Sequence, residues 1–227
     1  MKTMIHMMLL VAVLIATPQL MKAQNKQLDK ALKKEYKTKM KEYKKEGWKI
    51  FGTSRSLDVS LLLHYQKLNE GGDDVKEVVG VASQFKLKNV GVQSATNNAC
   101  NKYARQAGSH VKGRIVSDLG LNAEDINSEF DHFYAAYESS VEKEIKGELK
   151  ESYSIIREIN KGVFEMQTYF LVNESAATQA RIRAFENATK ESEAAQKYAQ
   201  KVSEFIKEGV STCLLYTSPS PRDGLLS

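Results

Sequence analysis

The residues whose types could support catalysis are few and lie far apart in this 227-residue sequence. Between residues 24 and 212 there are three histidines, His64, His110 and His132, and one cysteine, Cys100. The spacing Glu129-x-x-His132 places a carboxylate and an imidazole on one helical face, as in one motif of a di-iron bundle. Such a bundle needs a second motif of this kind, which the sequence lacks. We therefore expect no metal site and interpret His132 as a polar residue of an amphipathic helix.

Nucleophilic catalysis has no clear signature either. The Gly-x-Ser-x-Gly turn of many serine hydrolases is missing from the sequence. Cys100 lies within a predicted helix without a neighbouring base, so we interpret it as a buried thiol that packs as a small apolar group. Gly71-Gly72 lacks the spacing and the lysine of a phosphate loop and is interpreted as a turn. We expect no catalytic residue and no cofactor, and a hydrolase with a site assembled in space stays open as an alternative.

Lysines are concentrated in one segment, which is the feature that most clearly suggests a partner. Ten lysines and four acidic residues lie between Gln24 and Lys49, so this segment carries +6, while residues 50–212 carry −3. A nucleic-acid-binding domain spreads positive charge over a folded face, so we expect no nucleic-acid partner. The lysines beside or opposite the apolar stripe of the predicted helix form a candidate surface for an anionic partner: Lys26, Lys30, Lys33, Lys37, Lys41 and Lys44.

Two interpretations of this lysine surface stay open. It could contact phosphates of outer-membrane lipid or carboxylates of peptidoglycan, each contact being screened over about 8 Å at physiological salt. It could instead be a solvated face that only aids solubility. Tyr36, Met40 and Tyr43 lie on the apolar side of the same helix, which predicts that the helix docks on the protein's own core. A helix that lies on a membrane would carry a stronger apolar face.

The first 23 residues predict export. Lys2 gives a positive start, Met7–Ala16 is apolar, Thr17-Pro18 breaks the run and Ala23 suits cleavage, which is the layout of a signal peptide. The run is too short to cross a bilayer, which takes about 20 residues, and a retained anchor is the alternative. No cysteine follows the run to accept acyl chains. We therefore expect a periplasmic or secreted protein that has no transmembrane span after processing and is not lipid-anchored.

The last residues differ from everything before them. Residues 213–227 read CLLYTSPSPRDGLLS, with Pro219 and Pro221 close together and no amphipathic period. This stretch resembles the translated adapter sequence that contaminates metagenomic assemblies, and a disordered tail is the alternative. We therefore interpret residues 211–227 as a non-native or disordered tail.

The pattern between the two ends predicts an α+β fold. We expect a small antiparallel sheet of about three strands, packed on one face by helices, with a basic N-terminal helix and a long C-terminal helix. The predicted helices are Asn25–Glu46, Leu57 to about Leu68 with Ser56 as its cap, Val92 to about Leu119, Asn122 to Gly147, and Glu174–Glu208. The predicted strands are Val75–Leu87, Leu149–Ile159 and Val163–Val172, and Trp48–Phe51 is a strand or a clamp onto the core.

These elements define four segments of the chain. Residues 1–23 form the signal peptide, residues 24–74 a basic helical N-terminal extension, and residues 75–210 an α+β domain that ends in the long helix. Residues 211–227 form the tail. The turn Asn160-Lys161-Gly162 is a hairpin signal between the last two strands.

The α+β segment resembles a known family. The stretches that carry the resemblance are Val78–Gln84, Ala95–Asp118 and Ser152–Val172. They resemble the lipoprotein-20-like family of bacterial envelope proteins, which is related to the N-terminal domain of flagellar assembly protein T. The resemblance covers about half of the mature chain and implies an envelope role in Gram-negative bacteria, with no active-site residues to carry over.

Together these observations predict a non-enzymatic, exported cell-envelope protein that acts as a structural or protein-interaction module. Its partner would be another envelope protein or a second copy of this chain. The alternatives are the hydrolase assembled in space and a binder of anionic envelope polymers through the basic helix.

Overall fold

The computed structural model describes residues 30–119, 123–190 and 192–207. The predicted signal peptide, Lys26, Asn122 and the tail lie outside these ranges. The helices are α1 (30–46), α2 (Leu57–Gly71), α3 (Lys88–Leu119), α4 (Ala123–Lys146), α5 (Glu174–Thr189), α6 (Glu193–Lys197) and α7 (Ala199–Lys207). The strands are β1 (Lys49–Phe51), β2 (Val75–Phe85), β3 (Lys150–Asn160) and β4 (Val163–Asn173).

The strands form one antiparallel sheet in the order β1-β3-β4-β2, which confirms the α+β class. The sheet has four strands where about three were expected. The added strand is β1, because Lys49–Phe51 pairs with the stretch from Ser154 to Ile156 instead of only touching the core. β3 and β4 form the predicted hairpin, and Gly162 takes the left-handed conformation in its turn, with φ 72°.

Helix α3 crosses one face of the sheet at very short range. A Cβ atom added at Gly80 of β2 would lie 1.9 Å from the carbonyl oxygen of Ala95. Ala95 and Ala99, which lie one turn apart on α3, are fully buried. The small side chains on both elements therefore allow the helix backbone to approach the strand closely. Cys100 lies beside them and is buried, and burial raises the pKa of its thiol.

The opposite face of the sheet is also covered, and here the expectation of helices on one face only is wrong. Met40 and Tyr43 of α1 and Leu61 of α2 pack in one cluster with Tyr153 of β3 and Tyr169 of β4. The strands alternate apolar and aromatic residues on both sides, so neither side of the sheet can face water without a large apolar exposure. The basic N-terminal extension is consequently an integral layer of this fold.

Helix α4 packs against α3 and α5. The apolar residues that recur on one of its faces are fully buried: Phe130, Phe133, Tyr137, Val141 and Ile145. Ile126 has the same helical spacing in the sequence, and its side chain lies outside the described part of the chain.

The prediction of one long C-terminal helix is wrong, because the chain forms the three helices α5, α6 and α7 instead. The hydroxyl of Ser192 accepts a hydrogen bond from the backbone N–H of Ala195 at 3.1 Å and so begins a new helix. α7 then packs against α5 and α3. Ala195 of α6 and Val202 and Phe205 of α7 are buried, because the chain folds back onto the core after α5.

Among the described helices, none is both long enough and apolar enough to cross a bilayer.

Candidate functional site

The first candidate site is a set of exposed cations on α1. Lys30, Lys33, Lys34, Lys37 and Lys41 line one open surface together with Thr38, and we call these five lysines the lysine row. Four of the six lysines proposed from the sequence belong to it, and Lys34 was missed. Lys44 is exposed but does not line this surface, and Lys26 lies outside the described residues.

The other side of α1 is held firmly against the protein, as its apolar residues predicted. Met40 and Tyr43 are buried, and the hydroxyl of Tyr36 donates a hydrogen bond to the Asp58 carboxylate of α2. Tyr65 of α2 donates a hydrogen bond to Glu35 at 3.4 Å. The lysine row is therefore carried by a fixed helix, so that binding a partner would not require the helix to fold first.

The charges of the lysine row are not neutralised within the part of the chain that the structure describes. There, none of its five lysines forms a salt bridge. The ion pair within α1 joins Lys39 and Glu42 at 3.3 Å, on a neighbouring strip of the helix. Five like charges on about three turns of helix repel one another, and a polyanionic partner would relieve that repulsion.

The second candidate site lies on the sheet face that α2 covers. The His64 side chain is 1% exposed and contacts two polar residues from different strands. Its Nδ1 atom lies 3.0 Å from the hydroxyl of Ser152 on β3, and its Nε2 atom lies 2.6 Å from Oε2 of Glu77 on β2. We call His64, Ser152 and Glu77 the His64 site.

A β-bulge places Ser152 in this site. Glu151 pairs with Phe170 and the next paired residue is Tyr153, opposite Tyr169, so Ser152 is an extra residue in β3. The shift turns Ser152 to the same face as Tyr153, whereas regular alternation would send it to the α3 side. The contacts confirm this geometry, since both Ser152 and the ring of Tyr153 touch His64.

Aromatic rings enclose the imidazole. The rings of Tyr65, Tyr153 and Tyr169 meet it edge-on at centroid distances of 5.9, 5.1 and 5.9 Å. Tyr153 and Tyr169 stack on each other at 4.4 Å. The hydroxyl of Tyr43 lies 3.1 Å from that of Tyr153 and donates to that of Tyr169 at 2.8 Å. Tyr43 of α1 therefore ties the lysine-bearing helix to the same aromatic cluster.

The three clustered tyrosines are strongly desolvated. Burial raises the pKa of the hydroxyls of Tyr43, Tyr153 and Tyr169 far above the ordinary tyrosine value. They hold their protons in the folded protein at pH values where the unfolded chain has lost them. The cluster consequently links folding to alkaline pH.

We expect the free energy of unfolding to fall as pH rises above about 10, the ordinary tyrosine pKa. Because the folded pKa values are raised, the stability is fully present below that pH and is lost above it, by about 1.4 kcal/mol per pH unit for each of the three tyrosines. Urea unfolding at increasing pH measures this slope. Tyr43→Phe should make the slope shallower by one tyrosine's share, and an unchanged slope would contradict the assignment.

The structure does not bring together the three histidines that the sequence offered as candidates for catalysis. His132 is exposed on α4 and His110 is half-buried on α3, far along the chain from His64 on α2. Within the described ranges there is no group of three or more His, Cys, Asp and Glu side chains arranged to hold a metal ion.

The His64 site was not predicted from the sequence. One feature pointed to it, namely that His64 follows Leu57 and Leu61 at helical spacings of seven and three on the buried face of α2. A histidine on such a face needs polar partners. Which partners it has was decided by the packing of β2 and β3 below it.

Comparisons with known proteins provide no family for this chain, so the class of protein rests on the geometry of the fold and of the two sites. A scan against protein-family models found no match, and searches of curated proteins and of solved structures found none either. The fold and the two sites define an α+β protein whose four-stranded antiparallel sheet is covered by helices on both faces.

Proposed function

We propose that this is an exported binding protein of the bacterial cell envelope, which attaches through its lysine row to a surface rich in lipid phosphates. The observation that carries the proposal is the row itself: five exposed lysines that form no salt bridge with any described residue, on a helix whose other side is buried. The predicted signal peptide and the resemblance to lipoprotein-20-like proteins support the location. Binding of this kind uses charge alone and requires no reactive group.

The shape of the row favours an extended array of anions over a small ligand. From Lys30 to Lys41 it spans about 16 Å at 1.5 Å per residue. Its lining residues all belong to one exposed helix face and form no enclosed cavity. A lysine ammonium acts as a point charge and binds phosphate well, which favours lipid headgroups over the carboxylates of peptidoglycan. Because Met40 and Tyr43 are buried, the helix offers these residues to its own core and not to the lipid interior.

Neutralising three lysines of the row should weaken binding to anionic vesicles by roughly a hundredfold. Each lysine near an anionic membrane surface contributes about 1 kcal/mol, and about 3 kcal/mol corresponds to that factor. The variant is Lys33→Gln, Lys37→Gln and Lys41→Gln, measured by co-sedimentation with vesicles of mixed phosphatidylglycerol and phosphatidylcholine. Raising the salt concentration should also weaken the binding of the unmodified protein to these vesicles.

A matched control removes the same charge elsewhere. Lys102, Lys143 and Lys161 are exposed on α3, on α4 and in the β3–β4 turn, and their replacement by Gln should leave vesicle binding nearly unchanged. Equal losses in both variants would show a general charge effect and overturn the proposal. Sedimentation with purified peptidoglycan but not with vesicles would also overturn it, as would an unprocessed protein that stays in the cytosol.

A further inference from the structure

We propose that the His64 site is an acyl-transfer centre in which Ser152 is the nucleophile and His64 its general base. This inference is independent of the lysine row. It rests on the two contacts of the imidazole, 3.0 Å from Nδ1 to the Ser152 hydroxyl and 2.6 Å from Nε2 to the Glu77 carboxylate. A nucleophile, a base and an acidic residue that orients the base is the arrangement that activates serine in many hydrolases.

The carboxylate determines which nitrogen can act as the base. An ionised carboxylate only accepts hydrogen bonds, so the short contact to Glu77 requires a proton on Nε2 of His64. Nδ1 then carries the free lone pair, and this is the atom that faces the Ser152 hydroxyl. The neutral imidazole is thus held in the tautomer that can take the serine proton.

The nucleophile Ser152 is more exposed to solvent than the base His64, as a reaction with a substrate from solution requires. His64 is enclosed, with a side-chain exposure of 1%, whereas the Glu77 side chain is 23% exposed and Ser152 is half-buried. The bulge at Ser152 is what brings its hydroxyl beside the imidazole. Tyr65, Tyr153 and Tyr169 surround the imidazole, so a substrate must approach Ser152 from the solvent side. The substrate class that this inference assigns is therefore an ester with a short acyl group.

The reaction balances with water as the co-reactant. The Ser152 oxygen forms a bond to the ester carbonyl carbon while its proton passes to Nδ1 of His64. The bond from that carbon to the alcohol oxygen breaks, and the alcohol leaves with the proton from Nδ1. Water then attacks the acyl-serine, its proton passes to Nδ1 and from there to the serine oxygen, and the free acid leaves. Glu77 keeps the Nε2 proton in place throughout and is a positioning residue.

The test is covalent labelling of the full chain. A fluorophosphonate probe and p-nitrophenyl acetate are incubated with the protein, and peptide mass spectrometry locates the adducts. We expect both reagents to modify Ser152, and Ser152→Ala to remove both adducts and to lower ester hydrolysis by at least about a hundredfold.

Ser154→Ala is the matched control. Ser154 lies two residues along β3, where its hydroxyl donates a hydrogen bond to the Glu151 carboxylate and lies 3.0 Å from the Thr168 hydroxyl, which can donate to it, on the other side of the sheet from His64. Its replacement should leave labelling of Ser152 intact, and circular dichroism verifies that both variants fold. Glu77→Gln should slow labelling without abolishing it. An unlabelled wild-type protein, labelling that persists in Ser152→Ala, or equal losses in both serine variants would overturn the proposal.

This outcome is separable from that of the lysine row. The lysine-to-glutamine variant should be labelled at Ser152 as readily as the wild type, and Ser152→Ala should bind vesicles as the wild type does. Failure of one assay therefore leaves the other interpretation standing.

Discussion

Replacing His64 with alanine should lower the free energy of unfolding by about 3–5 kcal/mol. The side chain is buried between α2 and the sheet, so its loss leaves a cavity among Tyr65, Tyr153 and Tyr169. It also removes the partner of Glu77, whose carboxylate then lies in a partly buried position without its hydrogen bond. Both effects destabilise the folded state and act in the same place. Chemical unfolding monitored by circular dichroism gives the free-energy change.

His132→Ala is the control for the histidine substitution. His132 is exposed on α4, so its loss should change the free energy of unfolding by no more than about 0.5 kcal/mol. A similar small effect at His64 would mean that α2 is not fastened to the sheet through its imidazole. In that case the short contacts to Ser152 and Glu77 would not describe the protein in solution.

The second large effect is expected at Arg181 of α5, the bulkiest fully buried side chain among the described residues. Its guanidinium lies 2.8 Å from Glu174, 2.5 Å from the hydroxyl of Tyr103 on α3 and 2.7 Å from that of Thr178. Its Nε atom donates to the backbone carbonyl of Ile206 at the end of α7, at 3.4 Å. Arg181 therefore joins three helices. Arg181→Met should lower the free energy of unfolding by about 3–5 kcal/mol. The Glu174 carboxylate would lose the positive charge that neutralises it, and the hydroxyl of Tyr103 would lose its hydrogen-bond donor.

Arg183→Met provides the comparison for Arg181, only two residues further along α5. Arg183 forms ion pairs with Glu144 of α4 and with Glu148, which lies between α4 and β3. Its side chain is 45% exposed, so solvent screens both ion pairs. We expect a cost of at most about 1 kcal/mol. Hydrogen exchange adds a local measurement, since amides of α7 should lose protection in Arg181→Met and keep it in Arg183→Met. Equal effects of the two substitutions would contradict the role of Arg181.

Helix α1 connects the two candidate sites in one element. Its outer side carries the lysine row, and its inner side places the Tyr43 hydroxyl on the stacked pair Tyr153 and Tyr169 beside His64. The first helix of the basic extension thus covers the aromatic cluster, in agreement with the docking that Tyr36, Met40 and Tyr43 predicted. The folding energy of this face and the presentation of the lysines depend on the same residues.

Local patterns were sufficient for most of the elements. Ser56 caps α2 as expected, accepting a hydrogen bond from the backbone N–H of Val59, and the predicted hairpin turn forms, with Gly162 in the left-handed conformation. The described apolar face of α4 is buried, and so is that of α3 from Ala95 to Val111, whereas on α2 Leu61 is buried, Leu57 is half-buried and Leu62 is 48% exposed. Such features depend on neighbours within about four positions along the chain, and these can be read directly.

The errors have a common cause in contacts between distant segments. The composition of residues 174–208 suits one continuous helix. The helix ends at Thr189 because a break there lets α7 pack against α5 and α3. Likewise, the second helical layer exists because Met40, Tyr43 and Leu61 meet Tyr153 and Tyr169 from more than 90 positions away. Local propensity is a weak preference, and tertiary packing overrides it.

By itself, the amino-acid sequence determined the α+β class, the strands β2 to β4, the buried thiol of Cys100 and the charge of the first helix. Tertiary structure alone decided that helices cover both faces of the sheet and that His64 meets Ser152 and Glu77. The reason is physical: charge and periodicity are properties of a segment, whereas a three-residue site requires a bulge, a helix and two strands to be placed within about 3 Å of one another, the range of a hydrogen bond.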